Sequence, residues 1–161
     1  PRTALDLVAR LLDQIDGRLE EPDAGPWEIR GANRLHGFSL LTHWAGAQRA
    51  AEVAGALGDG ALRARAEDVQ QRARQVLEAR CWNDELGALT QAAEGTHLDA
   101  VLLLAVQLGF FAPDDPRAHS HVNAIRQALQ VDGSLLRRYK APDDFGRPFC
   151  DRAYHHRAMR D

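Results

Sequence analysis

The sequence is short of cysteine, of long apolar runs and of net charge, and each shortage narrows what the chain can be. Cysteine occurs twice in 161 residues, at Cys81 and Cys150, too sparsely for a disulfide framework. Two thiols in a chain rich in Ala and Leu point to a reducing compartment, so a cytoplasmic location is expected, and Cys81 reads as a small buried apolar residue. The longest apolar run, Ala100 to Val106, is far shorter than a membrane span and reads as a buried helix segment. A formal net charge of −3 gives no strong attraction to nucleic acid or to an anionic membrane. There is no Gly-rich phosphate loop, P-loop or nucleophile elbow. His119 and His121 lie two apart and His155 and His156 are adjacent, whereas zinc sites on helices favour a spacing of four. They read as solvated histidines, and no metal is expected.

What is present is helical. Ala, Leu, Arg, Glu and Gln dominate, all strong helix formers, and apolar residues make up 45% of the chain, enough for a core. Leu5, Val8, Leu12, Ile15 and Leu19 recur at spacings of three and four, one face of an amphipathic helix over about Thr3 to Glu20. Thr3 and Asp6 stand at capping-box spacing at its start. A second helix, about Ser39 to Leu57, is apolar around most of its surface, and Ala45, Gly46, Ala47, Ala50 and Ala51 permit close helix contact. A third, about Ala61 to Cys81, is charged on one side. A fourth, about His97 to Leu108, is nearly all apolar. A fifth, about Pro116 to Gln130, carries Val122, Ile125 and Leu129 as its stripe, with Asp115 placed to cap it and Pro116 in the first turn.

The connections alternate between short and long. Gly58 to Gly60 and Gly109 to Asp115 are short returns. Glu21 to Phe38, Trp82 to Thr96 and Val131 to Pro148 are long and rich in Gly, Pro, Asp and aromatics, as functional loops are. If the helices alternate antiparallel, all three long loops emerge on one face. This pattern predicts an all-α fold of antiparallel helical hairpins, a partial (α/α)6 barrel of about half the toroid. A helical solenoid fits the same alternation, but no fixed-period repeat is visible.

The first long loop holds the chemistry. At its centre are Trp27, Glu28, Ile29 and Arg30. A carboxylate beside a large aromatic is what a general acid requires, because exclusion of water disfavours the ionised form. Trp27 can stack on a sugar ring, and Arg30 can bind a sugar hydroxyl or hold the loop. From these residues alone, a loop ion pair between Glu28 and Arg30 with Trp27 as packing anchor is the favoured alternative.

Beyond these residues, the segment PDAGPWEIRG (22–31) resembles one found in bacterial glycoside hydrolase family 15, the glucoamylase and trehalase type, where Ile is usual at Pro26. The similarity runs on through Arg34, Ser39 and Trp44. It resumes at RCWNDELGALTQ (80–91), LDAVLLL (98–104), GFFAPDDPR (109–117), LLRRY (135–139) and DDFGRP (143–148). These six blocks stand in the family's order and spacing. They divide the chain into a family-like helical part, residues 1–148, and an atypical tail, residues 149–161.

The resemblance implies inverting hydrolysis of α-linked glucose, with no metal and no organic cofactor. One carboxylic acid protonates the leaving oxygen and a second carboxylate, roughly 6.5–9.5 Å away, activates water on the opposite face. The general acid falls on Glu28, and Trp27 and Arg30 fall in the substrate site. The family's base is a Glu directly after the Pro of the DDFG-x-P segment, and here that position is Phe149. Asp143, Asp144 and Asp151 are nearby, but nothing places them as substitutes. Leu40 stands where the family commonly has Lys, so one polar contact to sugar is absent. The family's β-sandwich and the first half of its barrel have no counterpart in these residues. The chain is therefore expected to be inactive alone, and to self-associate or to pair with a missing N-terminal half. The alternatives are a catalytically dead remnant serving as a helical interaction module, or another (α/α)-barrel class such as a lyase or epimerase, which the Trp27–Glu28 block argues against.

Overall fold

The computed structural model describes residues 2–28, 32–131 and 135–140. In chain order it contains α1 (Arg2–Arg18), α2 (Gly37–Ala56), α3 (Gly60–Cys81), a two-stranded hairpin of β1 (Trp82–Asn83) and β2 (Ala88–Leu89), a 3-10 helix (Ala100–Leu103) running into α4 (Leu104–Gln107), and α5 (Pro116–Leu129). The strands pair antiparallel, Trp82 opposite Leu89.

Small residues set the helix packing. The α2 stripe Ala47, Ala50 and Ala51 lies against Ala66 and Val69 of α3 and Leu12 of α1. A Cβ on Gly46 would stand 3.2 Å from the Ile15 side chain, so α1 approaches α2 where α2 has no side chain. The return between α2 and α3 is a Schellman motif. Asp59 N donates to Ala54 O at 2.9 Å and Gly58 N to Gly55 O at 3.2 Å, with Gly58 at φ +78°, a conformation that glycine adopts without a Cβ penalty. Asp59 then caps α3 by accepting from Leu62 N at 2.9 Å. The same device closes α4, where Gly109 (φ +75°) delivers Phe110 into the core.

The main core gathers Trp44 of α2, Leu77 and Cys81 of α3, Leu89, Leu102, Phe110, Phe111, and Ile125 and Leu129 of α5. Trp44 meets Phe110 edge to face at 5.1 Å, and Phe110 meets Phe111 at 5.3 Å. Arg74 covers the outside, its guanidinium 4.5 Å from the Phe110 ring and donating to the Phe110 carbonyl at 2.9 Å. Burial pushes the Cys81 thiol up to about 12, which fits its reading as a packing residue. Arg72 joins Asp16 at 2.6 Å, and Arg65 pairs with Asp13. These pairs tie α3 to α1 at the surface, where each stabilises by only about 0–1 kcal/mol.

Four sequence expectations are corrected. The apolar run near Val101 is not one helix from His97: Asp99 caps a single 3-10 turn by accepting from Val101 N at 3.0 Å, and only Leu104–Gln107 is α-helical. The second long loop contains the β1–β2 hairpin. Thr3 lies inside α1 and does not precede it. His121, not Val122, fills the α5 stripe, and it is fully buried rather than solvated. Its Nδ1 accepts from Leu89 N at 3.3 Å and its Nε2 lies 3.0 Å from the Leu102 carbonyl. Because a carbonyl only accepts, Nε2 carries the proton. His119 is exposed, and His155 and His156 lie outside the described residues. The bounds of α2, α3 and α5 otherwise fall within two residues of the pattern.

Candidate active site

The first long loop is closed by backbone pairing of Asp23 with Arg34, N to O at 2.9 and 3.0 Å in the two directions. Inside it, Gly25 to Glu28 form a turn. Pro26 fixes φ at its second position, and Glu28 N donates to Gly25 O at 3.3 Å. The Asp23 carboxylate accepts from Gly25 N at 2.5 Å. Position 25 needs glycine twice over: φ is +69°, and a Cβ there would stand 2.8 Å from the His36 ring. Glu28 also sits in the left-handed region, at φ +48°, which costs a non-glycine residue roughly 1–2 kcal/mol. Strain of this kind collects at functional sites.

Trp27 is half-buried and Glu28 is exposed. The indole does not close over its neighbour. It turns inward, and its Nε1 donates to Asp99 Oδ2 at 2.7 Å. The desolvated carboxylate beside Trp27 is therefore Asp99, not Glu28. Gln91 Nε2 donates to the same oxygen at 3.2 Å. Burial pushes the Asp99 carboxyl above the usual carboxylate range. The bonds from Val101, Trp27 and Gln91, and the nearby His36, oppose that rise.

Asp99 joins all three long loops. Trp27 comes from the first and Gln91 from the second. From the third, Tyr139 bridges to the Asp99 backbone, and Arg138 O accepts from Ala100 N at 2.8 Å. The Arg138 guanidinium lies 4.8 Å from the Trp27 ring centroid and the Tyr139 ring 6.2 Å away, tilted. The indole is thus flanked by the Arg138 guanidinium and the Tyr139 ring. Below the turn, His36 is buried and bridges to Ala92 of the second loop. Gly37 N donates to Gln91 O at 2.9 Å, and a Cβ on Gly37 would stand 2.5 Å from the Thr90 carbonyl oxygen.

The structure thus brings Trp27 and Glu28 together on one turn. Arg30 lies outside the described residues, as do Phe149, Asp143, Asp144 and Asp151. Leu40 is fully buried in the core, so that position faces the protein and not a ligand. Among the described residues, no group of three or more His, Cys, Asp or Glu side chains is arranged to hold a metal. Sequence reasoning passed over Asp99 and His36. The available signal for Asp99 was its position directly before the apolar run, where a polar residue is a helix cap inside a core.

The model of the family described as glycosyl hydrolases family 15 matches residues 2–158. The chain belongs to this family. It is 33% identical over 149 residues to a trehalase of Mycobacterium tuberculosis, covering 89% of this chain and 21% of that protein. It is 35% identical over 126 residues to a trehalase of Mycolicibacterium smegmatis, covering 78% and 19%. A wild-type glycosidase of known structure superposes with a TM-score of 0.71 at 25% identity, over 81% of this chain and 34% of that one. A variant glycosidase in complex with glucose superposes with a TM-score of 0.68 at 25% identity, over 79% and 34%. The family chain is helical and forms part of an (α/α)6-type barrel, as its hairpin pattern predicted. It spans about a fifth of the length of these trehalases. No helix among the described residues is long and apolar enough to cross a membrane.

Proposed function

We propose that this chain carries the acid side of an inverting α-glucoside hydrolase site. Glu28 is the general acid and Trp27 and Arg30 are substrate-binding residues. Phe149 stands where the base belongs, so the chain alone does not turn over. The observation that carries this reading is the Trp27–Glu28 turn, strained at Glu28 and tied to a buried carboxylate, in a chain of family 15. Because Glu28 is exposed, the desolvation a general acid needs must come from the bound sugar or from protein that covers this face. The substrate class is an α-linked glucoside, with trehalose the first choice from the trehalase relatives. The buried thiol of Cys81 fits a cytoplasmic location.

The test is glucose release from trehalose, maltose and a longer malto-oligosaccharide by this chain and by Glu28→Gln. No release by either is expected. Release that Glu28→Gln abolishes would keep Glu28 as the acid and require an unrecognised base. Release that survives Glu28→Gln would overturn the assignment.

A second reading, self-association or pairing with a missing N-terminal half, is favoured by one surface. An apolar groove of about 500 Å³ runs between α1 and α2, lined by Val8, Leu11, Ile15, Ala50 and Val53. Of these lining residues, Leu11 is 55% and Val53 39% exposed. Sedimentation of the chain against Leu11→Glu tests it. A concentration-dependent dimer lost in the variant would support self-association, and a monomer at all concentrations would exclude it.

A further inference from the structure

Asp99 is the only fully buried carboxylate among the described residues. No Lys or Arg ion pair reaches it among those residues. Burying a carboxylate is costly even when it is hydrogen-bonded, and capping one 3-10 turn does not require it, since Asn, Ser or Thr caps as well. What this site demands is an acceptor on every side. Oδ2 takes the Trp27 indole at 2.7 Å and the Gln91 amide at 3.2 Å, while Oδ1 takes Val101 N at 3.0 Å. An amide in its place would turn an NH2 group toward one of these donors.

At its start the turn is fixed by the Asp23 carboxylate on Gly25 N at 2.5 Å; its far end, at Trp27 and Glu28, is held differently. Its own hydrogen bond, Glu28 N to Gly25 O, is long at 3.3 Å, and Glu28 occupies a conformation that costs free energy, at φ +48°. At that end the short bond is the one between the indole and Asp99, at 2.7 Å, and Trp27 is the residue directly before Glu28.

We propose that Asp99 is a positioning residue for the candidate acid: by holding the Trp27 indole against the second and third loops, it sets the direction in which Glu28 leaves the turn. The functional half of this inference rests on the reading of Glu28 as general acid. The structural half does not.

The experiment uses the full chain labelled with 15N, and compares Asp99→Asn, Trp27→Phe and the double variant. In Asp99→Asn the Trp27 indole N–H signal should move upfield as its charge-assisted bond is lost. The backbone amides of Gly25, Trp27 and Glu28 should shift with it, while the Trp44 and Trp82 indole signals stay. Trp27→Phe, which keeps a smaller aromatic ring and removes the N–H donor, should shift the Gly25 and Glu28 amides likewise, and the double variant no further. If the indole signal moves and those amides do not, Asp99 is a cap alone and the proposal is wrong. Should Asp99→Asn fail to fold, Trp27→Phe decides the matter on the same amides. If the chain turns over α-glucosides, Asp99→Asn should lower kcat/KM on the order of 10²-fold, the penalty of a misplaced acid. Absence of turnover bears on the catalytic reading and leaves the amide result fully interpretable.

Discussion

Replacing Trp44 by Ala tests the packing on which the rest of the structure stands. Trp44 is 2% exposed and joins α2 to the aromatic cluster, its ring edge-to-face with Phe110 at 5.1 Å. Truncating a buried Trp to Ala costs about 3–5 kcal/mol, as transfer free energy is lost and the cavity closes only in part. The lost ring pair contributes about 0.5–1.5 kcal/mol within that figure. Phe110 is itself held by Phe111 and by Arg74, so it cannot swing freely into the void, and the upper half of the range is expected. Against a total stability of about 5–15 kcal/mol for a typical domain, this is roughly a quarter or more. Urea unfolding followed by far-UV circular dichroism gives the number directly, because the slope reports whether the denatured state has changed. A loss below about 1 kcal/mol at unchanged slope would refute the placement of Trp44 at the centre of the core.

Further outcomes follow from single contacts. Gly25→Ala should destabilise the first loop, since φ there is +69° and the new Cβ would meet the His36 ring; an unchanged melting temperature would count against this turn geometry. Glu28→Gly should raise stability by roughly 1 kcal/mol by removing left-handed strain, and thermal melts of the two proteins check it, with a loss indicating that the Glu28 side chain is structural. Burial lowers the pKa of His121 below 6.5, opposed by its bond to Leu102 O, and burial likewise lowers His43 against the pull of Asp23. The unfolded chain therefore takes up these protons first, so stability is full above pH 6.5 and falls as pH drops from there through the folded pKa values. Denaturant midpoints at pH 7.5 and 5.5 should differ in that direction, and equal midpoints would contradict it.

The helices were legible where local chemistry marks their ends. Asp115 caps α5 as its place before Pro116 predicts, and the Gly58–Gly60 return ends α2, with Asp59 within it found to cap α3. The run AVLLLAV was not legible, because an unbroken apolar stretch carries no phase and cannot tell an α-helix from a 3-10 turn. His121 was misplaced for a related reason: a polar residue in an amphipathic pattern is assigned to water unless its partners are known, and Leu89 and Leu102 lie far away in sequence. At the site, the motif around Glu28 could be read from its residues, whereas the burial of its partner could not. Trp27 was expected to dry its neighbour and instead covers Asp99, a contact across 72 positions of chain that no local pattern encodes.

The most direct test of Glu28 and Trp27 as a glucoside site is a titration of the 15N-labelled chain with trehalose and with maltose. A site built on this turn predicts shifts confined to the amides of Gly25, Trp27 and Glu28 and to the Trp27 indole, weakened in Glu28→Gln. Shifts elsewhere with the turn unmoved, or no shift up to high sugar concentration, would contradict it.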